Sequence, residues 1–398
     1  MNQAILAPGP QEYIESHLDS DTFVLLGKNS EFEGIGQREL VEQIIAKKKC
    51  RGKLPSWHGT KDIYYPSKLN IEQASSEKTA LYKSQIVTGA SIIDMTGGFG
   101  VDSYYFSKRF KKVVHCERDP KLSAIAKHNL EVLGVKNVMC APGDGIAFLK
   151  NNDSSFDWAF IDPSRRNDKK GKVFLLEDCE PNIIAHLPAI FQRAKNVLIK
   201  TSPLLDIEKG IAALGVAKGV HVIAVDNEVK ELLWVLQNGH FGETNVRTIN
   251  IKAGSDEIFD YKRSGERNAT AQIGEPLSYL FEPNAAILKA GAFKTISEKF
   301  GLRKLHRHSH LYTADRLVDF PGRQFRIKKQ IPFSKKNMKA FKGTSANITI
   351  RNFPISVAEI RKRFDIKAGG DRYLFFTTVN ENKKMVLVCT KNLRDKAM

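Results

Sequence analysis

The chain has 398 residues, more than one ordinary domain holds, and its 42% hydrophobic content is enough to bury a sizeable core. Its net charge of +18 is unevenly placed: residues 301–398 carry 23 Lys/Arg against 7 Asp/Glu, leaving 39 against 37 for residues 1–300, so the excess belongs to one terminal region, as in a module that holds a polyanion. No apolar run is long enough to span a bilayer, the N-terminus lacks the basic and apolar regions of a signal peptide, and five scattered cysteines without a Cys-x-x-Cys pair fit neither a disulfide framework nor a zinc site, so a cytoplasmic protein is expected.

Residues 1–88 read as mainly helical. Glu39–Lys48 puts Leu40, Ile44 and Ile45 on one face and then gives way to a basic loop, Lys47 to Lys53, before Pro55; a second helix is predicted over about Ile71–Ile86. Residues 89–250 alternate strands and helices. Strands are predicted at Ser91–Met95, Lys112–Cys116, Asn137–Cys140, Trp158–Ile161, Asn196–Lys200 and His221–Val225, a pattern that argues for a doubly wound parallel sheet with right-handed crossovers. Lys252–Gly274 reads as a polar linker. After it come a strand at Tyr279–Phe281, a helix at Ala285–Phe300 and a strand at Leu302–Tyr312, making residues 251–324 a linker plus a small α/β unit. Residues 325–398 form a basic region with strands at Ile348–Phe353, Arg372–Val379 and Lys384–Cys389 and a helix at Val357–Phe364.

The chemistry concentrates at strand ends. An apolar strand stops at Asp94 and is followed by Gly97, Gly98 and Gly100, where glycine permits positive φ and close backbone approach to a ligand. The segment from Asp102 opens a helix whose amides face that ligand. A dinucleotide fold asks for G-x-G-x-x-G, and the third glycine is missing here. The next strand ends in Glu117, suited to accept both hydroxyls of a ribose. Gly143-Asp144-Gly145 follows the third strand, and the fourth ends in Asp162-Pro163 at the sheet edge where open α/β sheets bind ligands.

This ordered set resembles motifs I to IV of class I S-adenosylmethionine-dependent methyltransferases. The form Asp94-x-Thr96-x-Gly98-x-Gly100-x-Asp102, followed by Glu117-Arg118, is similar to bacterial guanine-N2 ribosomal RNA methyltransferases. Over nearly its full length the chain resembles a bacterial methyltransferase family with a C-terminal THUMP-like domain. The resemblance rests further on Leu54 to Trp57, Glu72 to Glu77, Asp162 to Arg166, Glu282-Pro283-Asn284, Asn347 to Pro354 and Gly369-Gly370-Asp371. It implies S-adenosylmethionine as cofactor, a Rossmann-like methyltransferase core at 89–250 behind an N-terminal helical region, and a THUMP-like α+β domain at 325–398. It also implies that Asp94, Thr96, Gly98 and Gly100 line the methionine and ribose part, Glu117 the ribose and Asp144 the adenine, with transfer at Asp162 and Pro163. Gln73 and Ser76 fall where related enzymes lid the cofactor; alternatively Ser75 or Ser76 caps the following helix. Enzymes acting on exocyclic amines usually carry a second proline and an aromatic after the Asp/Asn-Pro; here Ser164-Arg165-Arg166 follows, with no ring to stack a base. Arg165 and Arg166 either clamp a substrate phosphate or begin a solvated loop.

THUMP domains bind RNA, and the terminal charge agrees independently, with Lys328, Lys329, Lys335 and Lys336 among its carriers. The strand reading of Leu302–Tyr312 puts His306, His308 and His310 on one face; without a carboxylate or cysteine at ligand spacing, a polar or RNA-facing surface is favoured and no metal is expected. The expected activity is methyl transfer to RNA, such as a ribosomal or transfer RNA base. The alternatives are a protein or small-molecule acceptor, or an RNA-binding assembly factor that retains the fold.

Overall fold

The computed structural model describes residues 1–165 and 176–391. They fall into two compact units: residues 1–217 with 233–241, and residues 218–232 with 242–398 as far as described.

The first unit is built on parallel strands Ser91–Asp94 (β1), Lys112–Glu117 (β2), Val138–Pro142 (β3), Phe156–Ile161 (β4) and Ala194–Thr201 (β5), in the order β3-β2-β1-β4-β5. Parallel pairs require crossovers, and the helices Val101–Ser107, Pro120–Val132, Gly145–Lys150 and Ile183–Phe191 lie between these strands in sequence. The chain steps outward from β1 through β2 to β3, then returns to the other side of β1 with β4 and β5. The order therefore reverses between β1 and β4, the place where open α/β sheets bind ligands. The doubly wound reading of the sequence holds.

The N-terminal helices share a core with this sheet's first helix. Leu40, Ile44 and Trp57 are buried in one cluster with Phe99, Val101 and Tyr105. The basic run Lys47 to Lys53 is not a loop. It is the last part of the helix Gln37–Lys53 (α1), because Lys and Arg are good helix formers and Ala46, Lys47 and Cys50 turn inward. The single helix expected over 71–86 is two, Lys68–Gln73 (α2) and Glu77–Ile86 (α3), divided where Ser76 caps the second.

In the second unit, Lys252–Gly274 is not a linker. It contains the strand Glu257–Lys262, paired antiparallel with Asn245–Ile251, and the helix Arg263–Asn268. A seven-stranded sheet follows. In chain order its strands are Tyr279–Pro283 (β6), Arg303–Lys304 (β7), Tyr312–Ala314 (β8), Gly322–Pro332 (β9), Asn347–Arg351 (β10), Arg372–Val379 (β11) and Lys383–Lys391 (β12), and in space they run β7-β8-β6-β9-β12-β11-β10. The helix Val357–Phe364 carries the parallel crossover from β10 to β11. Helix Ala285–Phe300 is broken at Gly291, whose φ of +75° ends the first half.

Leu302–Tyr312 is not one strand. Leu305 to Leu311 is a connection between β7 and β8, with His310 at φ +51°. Its residues bond to the far edge of the sheet: Asn380 N donates to Leu305 O at 2.7 Å, Ser309 Oγ donates to Thr378 O at 2.8 Å, and His306 Nδ1 lies 2.8 Å from Asn352 Nδ2. His310 instead stacks on Phe293 with centroids 3.7 Å apart. The histidines therefore do not share a strand face, and among the described residues no cluster of His, Cys, Asp or Glu is placed to hold a metal. No helix of the described residues is long and apolar enough to cross a membrane.

Candidate cofactor and transfer site

The loop after β1 is held by backbone bonds to both neighbouring strands. Met95 N donates to Phe160 O at 2.9 Å, and Gly97 N to Cys116 O at 2.7 Å. Gly98 and Gly100 have φ of +55° and +86°, a region that L side chains avoid, so glycine is required there. Gly97 is required for space. A Cβ on it would lie 2.1 Å from His115 Cε1, and His115 is fully buried.

Under the loop, Asp94 is also buried. Its Oδ1 accepts from Thr96 N at 3.2 Å and its Oδ2 from Ser103 Oγ at 2.6 Å, while the Ser103 hydroxyl lies 3.0 Å from His115 Nδ1. Burial pushes the Asp94 carboxyl up to about 8, against the opposing hydrogen bond from Ser103, and pushes the His115 imidazole down to about 4. Both are therefore held neutral near pH 7, and their hydrogen bonds shape the loop.

Glu117 closes the loop from the β2 side. Its two carboxylate oxygens accept from Gly98 N and Asp119 N, each at 2.8 Å. Asp144 caps the helix Gly145–Lys150 through Ala147 N at 2.9 Å and pairs with Arg118 Nε at 2.7 Å. Burial raises its carboxyl, but the Ala147 amide and the Arg118 guanidinium outweigh that and hold it below the usual range. A cavity of about 260 Å³ opens beside Arg118, Asp144, Ile146 and His186. Gly145 lets this turn approach the first loop, since a Cβ there would meet Met95 O at 2.5 Å.

The fourth strand brings Asp162 into the same assembly. Asp94 is opposite Phe160 in register, so Thr96 faces Asp162 two residues on, and Asp162 N donates to Thr96 Oγ1 at 2.7 Å. Ile161 is opposite Ile199, so the next residues, Asp162 and Lys200, adjoin at the tips of β4 and β5 and form an ion pair. Lys200 is absent from the residues that the sequence singles out. The only signal for it was a cation closing the apolar run Val197-Leu198-Ile199.

A second lysine stands near. Lys53, the last residue of α1, donates to Ile71 O at 2.8 Å and Glu72 O at 2.7 Å, so it fixes the end of α2. Burial, and next to it the charge of Lys200, push its ammonium down to about 8. Gln73 is exposed at the end of α2, and Ser76 Oγ accepts from Thr79 N at 3.3 Å, capping α3. The neighbour, Ser75, points inward. Its hydroxyl donates to Asp102 Oδ2 at 2.7 Å and accepts from Lys83 Nζ at 3.0 Å, while Lys83 and Asp102 form a buried ion pair at 3.2 Å. Pro163 is buried, Arg165 is described only in its backbone, paired with Cys179, and Arg166 lies outside the described residues. Lys328, Lys329, Lys335 and Lys336 are all exposed in the second unit.

This geometry gives a glycine-lined turn between two strand tips that end in carboxylates, with a third carboxylate beside them: a donor and acceptor set suited to a nucleoside with a charged tail. Comparison with known proteins agrees. A crystal structure of a candidate methyltransferase from Porphyromonas gingivalis W83 superposes with a TM-score of 0.87 at 30% identity, covering 96% of this chain and 97% of that one. The chain belongs to this methyltransferase family. Residues 279–321 of the methyltransferase match a ferredoxin-like domain family and residues 322–391 a THUMP domain-like family. An uncharacterized S-adenosylmethionine-dependent methyltransferase of Mycobacterium tuberculosis is 24% identical over 82% of this chain and 89% of its own length. An uncharacterized RNA methyltransferase of Mycoplasma mobile is 30% identical over 97 residues, 24% of this chain and 27% of its own. The enzyme is thus an S-adenosylmethionine-dependent methyltransferase with a C-terminal THUMP-like domain.

Proposed function

We propose that this methyltransferase transfers its methyl group to a base of RNA, with the reaction at the Asp162 end of β4. The observation that carries the RNA reading is the placement of charge: 23 Lys/Arg against 7 Asp/Glu in residues 301–398, the region that includes the THUMP-like match. The name of the Mycoplasma mobile relative supports it.

In this reading the Asp94, Thr96, Gly98 and Gly100 loop lines the methionine and ribose part of the cofactor, Glu117 takes the ribose hydroxyls, and Asp144 takes the adenine amino group. The sulfonium supplies an activated methyl group, and in-line alignment contributes much of the rate. Asp162 and the Pro163 carbonyl accept hydrogen bonds from the attacking amine and orient its lone pair. As the new C–N bond forms and the C–S bond breaks, the amine's proton passes to Asp162 or to water. Lys200 holds the Asp162 carboxylate in one orientation through their ion pair. Gln73 and Ser76 lie on the segment that covers the cofactor, and Arg165 and Arg166 take a phosphate of the acceptor strand.

The test is modified-nucleoside analysis of total RNA from a strain lacking the gene, with labelled S-adenosylmethionine and purified enzyme added back to that RNA. Label should enter one nucleoside that the strain lacks. Label entering only protein or small molecules overturns the RNA acceptor.

A further inference from the structure

One motif that the methyltransferase chemistry leaves unused, Gly369-Gly370-Asp371, ends at a cleft in the THUMP-like segment that Asp371 lines. The cleft has a volume of about 520 Å³ and is lined in part by Lys328, Thr344, Ser345, Asp371, Arg372 and Thr390, a size at which pockets hold nucleotide-sized ligands. Its construction is specific. Gly369 and Gly370 have φ of +101° and +80°, which turns the chain sharply into β11. Asn347 Nδ2 donates to Gly370 O at 2.6 Å, and Ala346 N to Lys367 O at 3.0 Å, so the segment carrying Thr344 and Ser345 is strapped to that turn.

The cations reach the cleft by two separate devices. On β9 the pairing to β12 skips from Ile327–Cys389 to Lys329–Val388. Lys328 is the extra residue of a β-bulge, which re-aims a side chain out of the strand's alternation. Arg372 is the first residue of β11, directly after Asp371. Both side chains are exposed, and neither has an ion-pair partner among the described residues. Thr344 Oγ1 donates to Phe341 O at 2.7 Å, which leaves its lone pairs to accept. Two cations without an ion-pair partner among the described residues, together with hydroxyls and one carboxylate, are groups that a sugar–phosphate unit can use.

We propose that this cleft seats one ribonucleotide of single-stranded RNA, with Lys328 and Arg372 on its flanking phosphates and Asp371 accepting from its 2′-hydroxyl, the group that distinguishes RNA from DNA. The proposal rests on the RNA reading and adds to it a location and a strand type.

The experiment measures binding of the full-length enzyme to a short labelled RNA and to the DNA of the same sequence, by fluorescence anisotropy across a salt series. For single strands the slope of log K against log salt is about −0.7 per neutralised phosphate. Lys328→Ala with Arg372→Ala should therefore make the RNA slope shallower by about 1.4. Lys328→Arg should keep the wild-type slope, separating charge from fold. Asp371→Ala removes the acceptor for the 2′-hydroxyl and should abolish the preference for RNA over DNA. If the double variant keeps the wild-type slope, or the loss appears instead in Lys335→Ala with Lys336→Ala, the cleft is not the site although the enzyme binds RNA. If the wild-type enzyme binds no RNA, the RNA reading itself falls.

Discussion

Gly97 and His115 give a sharp test of how the first loop is packed. The φ of Gly97 is ordinary, so a side chain there is opposed by space alone. A Cβ would sit 2.1 Å from His115 Cε1 and 2.2 Å from Nδ1, and the ring, 0% exposed, has nowhere to retreat without giving up its 3.0 Å contact to Ser103. Overpacking of this kind costs about 1–3 kcal/mol and a lost buried hydrogen bond about 1 kcal/mol more, so Gly97→Ala should destabilise by about 3 kcal/mol. His115→Ala removes the ring and should itself cost about 2–4 kcal/mol through the void it leaves. In the double variant the new methyl group occupies part of that void, so its loss should fall short of the sum by about 2 kcal/mol. Urea unfolding followed by tryptophan fluorescence is the assay, because all three tryptophans, Trp57, Trp158 and Trp234, lie in the first unit. Additivity of the two single effects to within about 0.5 kcal/mol would refute the packing argument.

Asp94 sets a pH dependence. Its folded-state pKa, raised to about 8, lies above the unfolded value, so the folded state keeps a proton that the unfolded chain has released, and stability falls as pH rises toward that value. His115, lowered to about 4, acts in the opposite sense below its ordinary value of about 6.5. Between about pH 6.5 and 8 the Asp94 slope stands without that opposition, and wild type should lose about 2 kcal/mol relative to Asp94→Asn; a difference that does not change with pH counts against the buried neutral carboxyl. Asp162→Ala should abolish transfer with cofactor affinity by calorimetry largely kept, and cofactor binding lost from a folded protein would mean that Asp162 is misplaced. Lys200→Met should lower kcat on the order of 10²-fold with little change in cofactor affinity, and an unchanged kcat would remove its orienting role. Lys83→Met strands the buried Asp102 and should cost about 3–5 kcal/mol in the same urea assay; a loss below about 1 kcal/mol would mean that the pair is solvated.

The sequence made the first loop legible because its requirements are local: an apolar strand, glycines where φ turns positive, and carboxylates at strand ends. What it concealed depends on register. Lys200 and Asp162 are 38 positions apart and meet only because β5 is placed beside β4. The strand Gly322–Pro332 escaped notice because its exposed positions are filled with Arg326, Lys328, Lys329 and Gln330, which break the apolar alternation, and because the bulge at Lys328 shifts its phase. The basic end of α1 looked like a loop for a related reason: Lys47 is a buried cation, paired with Glu15, so charge there did not mean solvent. At Leu302–Tyr312 alternation suggested a strand, and hydrogen bonds to residues 46 to 75 positions away folded it into a turn.

The buried trio Ser75, Lys83 and Asp102 carries a consequence for how this enzyme's lineage can change. Losing the lysine or the aspartate alone leaves a charge stranded in the interior, whereas replacing the pair together by apolar residues of similar volume is often close to neutral. The intermediate steps are therefore the barrier, not the end state. Homologues should fall into two groups at positions 75, 83 and 102, one with the polar set complete and one with it wholly apolar, and mixed sets should be scarce. The segment that carries Ser75 and Lys83 and the helix after the glycine turn should thus be inherited as one piece, and a chimaera that takes them from different parents should fold poorly even when each half is native to a working enzyme.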